Sequence, residues 1–133
     1  MIIKGWASVW GECDSHSDVT VKGSFKKDLK KFDYTRPMLL HHDKAQIIGR
    51  WDVIKEKKYG LWCEGTVLDD NAQFWIKEHC LSGLSIGYAG RREFRKRGLC
   101  MLQQIELEEI SVTSIPANRA ARIMEIIADG KAD

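Results

Sequence analysis

The chain has 133 residues, of which 44% are hydrophobic and 30% are charged, and its formal net charge at pH 7 is +2. This length and composition predict one globular domain over residues 1–133 with its own core and a frayed tail at 129–133. The small net charge does not indicate a nucleic-acid or membrane surface, and no apolar run approaches the ~20 residues that span a bilayer.

The first half of the chain is predicted to alternate strands with one short helix. Residues 2–10 alternate and are rich in Ile, Val and Trp, which predicts a strand, and the polar residues 11–18 predict a loop. Phe25, Leu29 and Phe32 recur at helical spacing, so a helix is expected from Ser24 to Phe32. Further strands are expected at 38–40, 47–55 and 59–68.

The second half is predicted to continue this pattern with two more helices. Asp69 to Asn71 can cap a helix that runs through Cys80, and Pro116 to Asn118 can open a final helix with an apolar stripe of Ala120, Ile123, Met124 and Ile127. Between the helices, 84–88 and 99–114 predict strands, and Gly90–Gly98 predicts a basic, exposed turn. Many strands with about three flanking helices predict an α+β fold that is mainly β, as a small closed or highly curved barrel with the helices outside.

The amino terminus and the cysteines predict a reducing compartment. The start, Met-Ile-Ile-Lys-Gly-Trp, lacks the basic residues, apolar stretch and cleavage site of a signal peptide. No Cys-x-x-Cys pair occurs among the four cysteines, so zinc ligation has no support from their spacing. We therefore expect a cytoplasmic protein with free thiols and without a metal or other cofactor.

Ser85 is a candidate nucleophile in the run Gly83-Leu84-Ser85-Ile86-Gly87. Strand alternation puts the serine on a face of small residues, where a peptide carbonyl could approach within about 3 Å. The alternative is a stripe of small residues against which a helix packs, and the pattern alone favours that alternative. The nucleophile elbow of α/β-hydrolases is rejected because its histidine follows the serine in the chain.

Histidine and glutamate candidates lie on either side of this run. His41 and His42 precede Asp43, and in a strand they would face opposite sides, so only one ring could face Ser85. Glu109 alternates with apolar residues and is expected to be half-buried, although Glu106 and Glu108 compete with it. A serine hydroxyl, an imidazole that takes its proton and a carboxylate that orients the imidazole together make an activated nucleophile.

The backbone N–H groups of Ala117 and Asn118, at the start of the predicted last helix, are candidates for an oxyanion hole.

Several short blocks, in order, resemble the prohead maturation proteases of tailed bacteriophages, serine peptidases that are themselves similar to the herpesvirus assemblins. The resemblance covers about residues 3–125. Its blocks are Gly5-Trp6-Ala7-Ser8-Val9, Asp14-Ser15-His16-Ser17-Asp18, Gly23-Ser24-Phe25, Leu39 to Asp43, Ile48 to Trp51, Gly60 to Gly65, Gly83 to Tyr88 and Glu109 to Asn118. His41 and Ser24 depart from the family pattern.

The resemblance implies a function as well as a herpesvirus-protease-like barrel. It implies a serine endopeptidase with Ser85 as nucleophile, His42 as general base, because the family places that base directly before Asp, and Glu109 as the orienting acid. The implied substrate is the phage major capsid or scaffold protein inside the prohead, in the host bacterial cytoplasm, and self-processing and a homo-oligomer are compatible with it. No cofactor, membrane or nucleic acid is required. The alternative is an inactive structural module of the same fold.

Overall fold

One eight-stranded sheet forms most of the structure, a computed structural model that describes residues 1–30 and 36–128. The sheet order is β2-β7-β3-β4-β5-β1-β8, and β6 pairs with β7 off this path. The strands in chain order are β1 Ile2–Val9, β2 Asp18–Thr20, β3 Arg36–Leu40, β4 Asp43–Glu56, β5 Gly60–Val67, β6 Gly83–Lys96, β7 Leu99–Thr113 and β8 Ile123–Ile127.

The described residues contain two helices, α1 (Lys26–Leu29) and α2 (Asp70–Lys77). The predicted cap of α2 is present, because the Asp69 side chain accepts a hydrogen bond from the Ala72 N–H at 2.8 Å. Neither helix is long and apolar enough to cross a membrane. The core lies on the inner face of the sheet and includes the fully buried side chains of Phe25, Trp51, Leu61, Leu84 and Ile110.

The helix predicted from Ser24 to Phe32 is shorter in the structure, where it begins at Lys26. The Ser24 hydroxyl donates to the Leu102 carbonyl and accepts the Val21 N–H, and the Glu56 carboxylate accepts the N–H groups of Gly23 and Phe25. These bonds hold the residues before Lys26 in a turn. Phe32 and the predicted frayed tail at 129–133 lie outside the described residues.

The predicted final helix is wrong, because residues 123–127 form strand β8. This segment pairs antiparallel with β1, whose other edge is already occupied by β5. β8 completes the backbone hydrogen bonds of β1, and Gly5 permits the approach, since a Cβ there would lie 2.2 Å from the Arg122 carbonyl oxygen. A tertiary contact thus decided the structure of this apolar segment.

The predicted barrel is correct only in part. The fold is mainly β with α-helices, as expected, but the sheet is not closed. Its two ends approach each other where the Leu84 N–H donates to the Ala121 carbonyl, and among the described residues they share a single bridge, Gly83–Arg122, in place of a ladder. The approach matters for function because it brings residues 114–122 beside Ser85 on β6.

Candidate active site

Ser85 lies on β6, opposite Ser111 of the neighbouring strand β7. Ser85 is buried. Gly87 is the next residue on the same face of β6, and it is paired with Glu109 of β7. The space above this face is filled by the Glu109 side chain, since a Cβ on Gly87 would meet a Glu109 carboxylate oxygen at 2.3 Å. The small residues of this face therefore accommodate a neighbouring carboxylate instead of a packed helix.

His41 and His42 occupy a tight turn, so the predicted strand at these residues is wrong. Leu40 pairs with Asp43, and the two histidines between them both have positive φ, 50° and 61°. Two-residue hairpin turns use this left-handed backbone, which histidine adopts more readily than most residues. The turn directs the two rings differently: His41 Nδ1 lies 3.1 Å from the Thr113 hydroxyl, whereas His42 reaches the serine.

The structure brings Ser85, His42 and Glu109 into one hydrogen-bonded line. His42 Nε2 lies 2.9 Å from Ser85 Oγ, and His42 Nδ1 contacts Glu109 Oε1. A carboxylate can only accept, so Nδ1 carries the proton of the neutral ring and Nε2 is left as the acceptor for the serine hydroxyl. This arrangement can draw a proton from the serine.

Glu109 is the carboxylate that this line selects from the three predicted candidates. It is more buried than the half-buried residue we expected, at 6% exposed. Glu106 lies opposite Gly90, and Glu108 forms an ion pair with Lys44 on the other side of the strand. Among the described residues, neither competitor bonds the His42 ring.

The Glu109 carboxylate raises the pKa of His42 above its ordinary value. The largest cause is the hydrogen bond between the two side chains, and the negative charge of Glu109 adds to it, whereas partial burial of the ring acts in the opposite direction. Glu109 thus stabilises the imidazolium that would form when His42 takes a proton.

Two hydroxyls on β7 also contact the histidine turn, and sequence reasoning missed both. Ser111 Oγ donates to Glu109 Oε2 at 2.7 Å and accepts the backbone N–H of His42 at 3.0 Å. Thr113 contacts the ring of His41. Ser111 lies two positions and Thr113 four positions after Glu109, so strand alternation alone could have placed both on the face of β7 that carries Glu109.

Ser85 and His42 line two surface depressions, of about 290 Å³ and about 690 Å³. The smaller runs past Gly87 and Tyr88 toward β1 and β2, and the larger runs past Thr113 toward the loop after β7. Because Ser85 and His42 line both, the two depressions meet at these residues and form one groove.

Ala117 lines both depressions, but the helix start predicted there is absent. Residues 114–122 form a series of bends that leads to β8. The backbone N–H groups of Ala117 and Asn118 donate to no acceptor within residues 1–30 and 36–128, while the Asn118 side chain bonds the Val9 carbonyl and the Ala120 N–H. The amides beside Ser85 therefore come from a loop that is held by Asn118.

The remaining polar motifs make contacts within the fold. Asp18 accepts hydrogen bonds from Tyr88 and Arg91, at 2.8 and 2.9 Å, and this pairing joins β2 to β6 beside the groove. The basic run predicted as a turn is mostly strand, because β6 continues to Lys96 and the turn is confined to Arg97 and Gly98. Within the described residues no cluster of three or more potential ligands could hold a metal ion.

Gly87→Ala tests whether the carboxylate must lie over β6. The new methyl group would overlap Glu109 Oε1, which is the end of a flexible side chain, so we expect the carboxylate to turn away from His42 while the fold is kept. Turnover of a peptide substrate should fall by roughly 100-fold, since an imidazole without its orienting acid is a poor base. Steady-state kinetics and thermal unfolding measure the two effects.

Gly90→Ala is the matched control for that variant. It lies on the same strand, and its methyl group would also meet a carboxylate oxygen, Glu106 Oε2 at 2.9 Å, away from Ser85. Turnover should stay within about threefold of the unmodified protein. Equal losses in the two variants would show that strand distortion, and not displacement of Glu109, is responsible.

The comparisons agree with the resemblance in the sequence. A profile of the family described as caudovirus prohead serine protease matches residues 1–132. The prohead protease of Enterobacteria phage HK97 is 27% identical over 131 residues, which are 92% of this chain and 58% of that protein. The chain therefore spans less than two thirds of the length of this relative.

Solved viral proteases have a similar fold. The bacteriophage T4 capsid assembly protease superimposes with a TM-score of 0.66 at 12% identity, over 84% of this chain and 80% of that one. A KSHV protease bound to a hexapeptide phosphonate inhibitor gives 0.65 at 13% identity, over 92% and 63%. The varicella-zoster virus protease gives 0.60 at 10% identity, over 92% and 62%. At these identities the likeness shows the fold alone.

Proposed function

The chain belongs to the caudovirus prohead serine protease family, and we propose that it is a serine endopeptidase that cleaves capsid or scaffold protein during phage prohead maturation. The observation that carries this proposal is the hydrogen-bonded line from Ser85 through His42 to the buried carboxylate of Glu109. Family membership supports the role in prohead maturation, and the contacts among the three side chains support the serine peptidase mechanism.

Each of the three groups has a role that follows from its contacts. Ser85 Oγ attacks the scissile carbonyl as its proton moves to His42 Nε2, and His42 then returns that proton to the leaving amine. Glu109 keeps the proton on Nδ1 and stabilises the imidazolium. The tetrahedral oxygen is held by the backbone N–H groups near Ala117 and Asn118, which have no other acceptor among the described residues.

A polypeptide substrate fits the groove better than a small molecule does. The depressions on the two sides of Ser85 give space for chain on both sides of a cleaved bond, and both are open to solvent. The substrate is the phage major capsid or scaffold protein, and a flexible segment of the same chain could enter the groove as well. The reaction takes place inside the prohead and uses no cofactor.

A fluorophosphonate probe tests this function directly. Attack by Ser85 Oγ forms a P–O bond and expels fluoride, so one phosphonyl group per chain should be found at Ser85 by peptide mass spectrometry. Ser85→Ala should remain unlabelled. Ser15→Ala, an exposed serine on the wall of the larger depression, should be labelled like the unmodified protein. A folded protein that takes no label would favour the inactive structural module.

The labelling rate should also depend on pH through His42. Below its pKa the ring is protonated and cannot accept the serine proton, so the rate should rise with pH through an inflection above about 6.5, the ordinary value for histidine. Glu109→Gln removes the main cause of the raised pKa. In that variant the inflection should move to lower pH and the plateau rate should fall. An inflection unaffected by this change would contradict the assigned role of Glu109.

A further inference from the structure

Three alternate residues of β7 contact the histidine turn from one face of the strand. Glu109 bonds the ring of His42, Ser111 bonds its backbone N–H, and Thr113 bonds the ring of His41. The His41 N–H adds a backbone bond to the Val112 carbonyl at 3.0 Å. A two-residue turn that protrudes from a hairpin is thereby attached to the strand that carries the acid.

Ser111 occupies the central place in this row. It has no exposed surface, and its single hydroxyl makes two contacts that point in different directions, one to Glu109 Oε2 and one from the His42 N–H. A buried carboxylate oxygen needs a donor, and a hydrogen bond to a charged acceptor is stronger than one between neutral groups. The bond fixes the plane of the carboxylate so that its other oxygen faces His42 Nδ1.

The second contact of Ser111 fixes the base itself. His42 has a left-handed backbone, and its N–H points toward β7 instead of along the β3–β4 ladder. One hydroxyl thus sets the distance between the acid and the backbone that carries the base. Displacements of about 1 Å in such a constellation cost large factors in rate.

We propose that Ser111 is a positioning residue for the Ser85–His42–Glu109 line, acting through its simultaneous bonds to the Glu109 carboxylate and the His42 backbone. This inference rests on the proposed peptidase function. It does not require Ser111 to touch substrate, and indeed its hydroxyl lies beneath the histidine turn.

Ser111→Ala should lower kcat for peptide cleavage by about 10- to 100-fold and leave KM within about twofold. The enzyme concentration used for kcat is the concentration of sites that react with the fluorophosphonate probe, so unfolded protein does not lower the measured kcat. The pH inflection of kcat/KM should also move down toward the ordinary histidine value, because a poorly oriented Glu109 raises the pKa of His42 less. Ser111→Cys keeps a side chain of the same shape, slightly larger and with a weaker donor, and should give a smaller loss in the same direction.

Ser24→Ala is the matched control, because Ser24 is also a buried serine whose hydroxyl bonds two backbone groups, the Val21 N–H and the Leu102 carbonyl, and it lines neither depression. It should lower the unfolding temperature without changing kcat per titrated site or the pH inflection. If Ser111→Ala and Ser111→Cys behave in the same way as Ser24→Ala, Ser111 is only structural and the inference is overturned. Cleavage that survives Ser85→Ala would instead overturn the proposed function.

Discussion

Ser85→Ala is expected to reduce cleavage of a capsid-derived peptide by at least about 10⁴-fold and to leave the protein folded. The loss follows from the proposed mechanism, because among the described residues Ser85 is the hydroxyl that bonds His42 Nε2, and the removal of a serine nucleophile typically costs several orders of magnitude. The fold should survive because the change deletes one oxygen at the edge of an open groove and leaves no packed cavity. Peptide turnover and thermal unfolding provide the two measurements.

The control for this variant is Ser15→Ala, which removes a hydroxyl from the same groove but keeps the backbone bond from the Ser15 N–H to the Ala117 carbonyl. Its turnover should remain close to that of the unmodified protein. Near-normal turnover in Ser85→Ala would remove Ser85 from the mechanism, whereas a loss of fold would leave the question to fluorophosphonate labelling of the unmodified chain.

The features that could be predicted from the sequence are those that depend on local periodicity. Alternation predicted a strand at 84–88, which is the first part of β6, and the face that carries Ser85, and the Asp69 cap identified the start of α2. The same reasoning grouped Glu109 with the buried face of β7. In each case the residue pattern within one strand or one helix turn is sufficient for the prediction, because it does not depend on which other segments pack beside that element.

The features that could not be predicted depend on which segments become neighbours. Residues 123–127 have an apolar pattern compatible with a helix, and they form a strand because β1 offers an unpaired edge. The sequence around His41 and His42 predicts the continuation of a strand, but Leu40 pairs with Asp43, so the two histidines between them form a turn. Only the resemblance to a family, and not periodicity, could connect residues 42, 85 and 109 before the fold was known.

The turn also explains why only one of the two histidines can act on Ser85. In a strand the rings would diverge because side chains alternate; in the structure they diverge because the left-handed backbone sends one ring to Thr113 and the other to Ser85. A one-residue error in the assignment would therefore exchange the ring that contacts Ser85 for the ring that contacts Thr113, and mutagenesis can detect that error directly.

His42→Ala is expected to be about as damaging as Ser85→Ala, whereas His41→Ala should reduce turnover by less than about tenfold. The two variants control for each other, because each places alanine at a position with positive φ and so carries a similar backbone cost. Their difference isolates the imidazole that contacts Ser85. The double variant Ser85→Ala/His42→Ala should be hardly worse than either single one, since the groups act as a unit. Additive losses would mean that His42 acts independently of Ser85, and an inactive His41→Ala with an active His42→Ala would reverse the assignment.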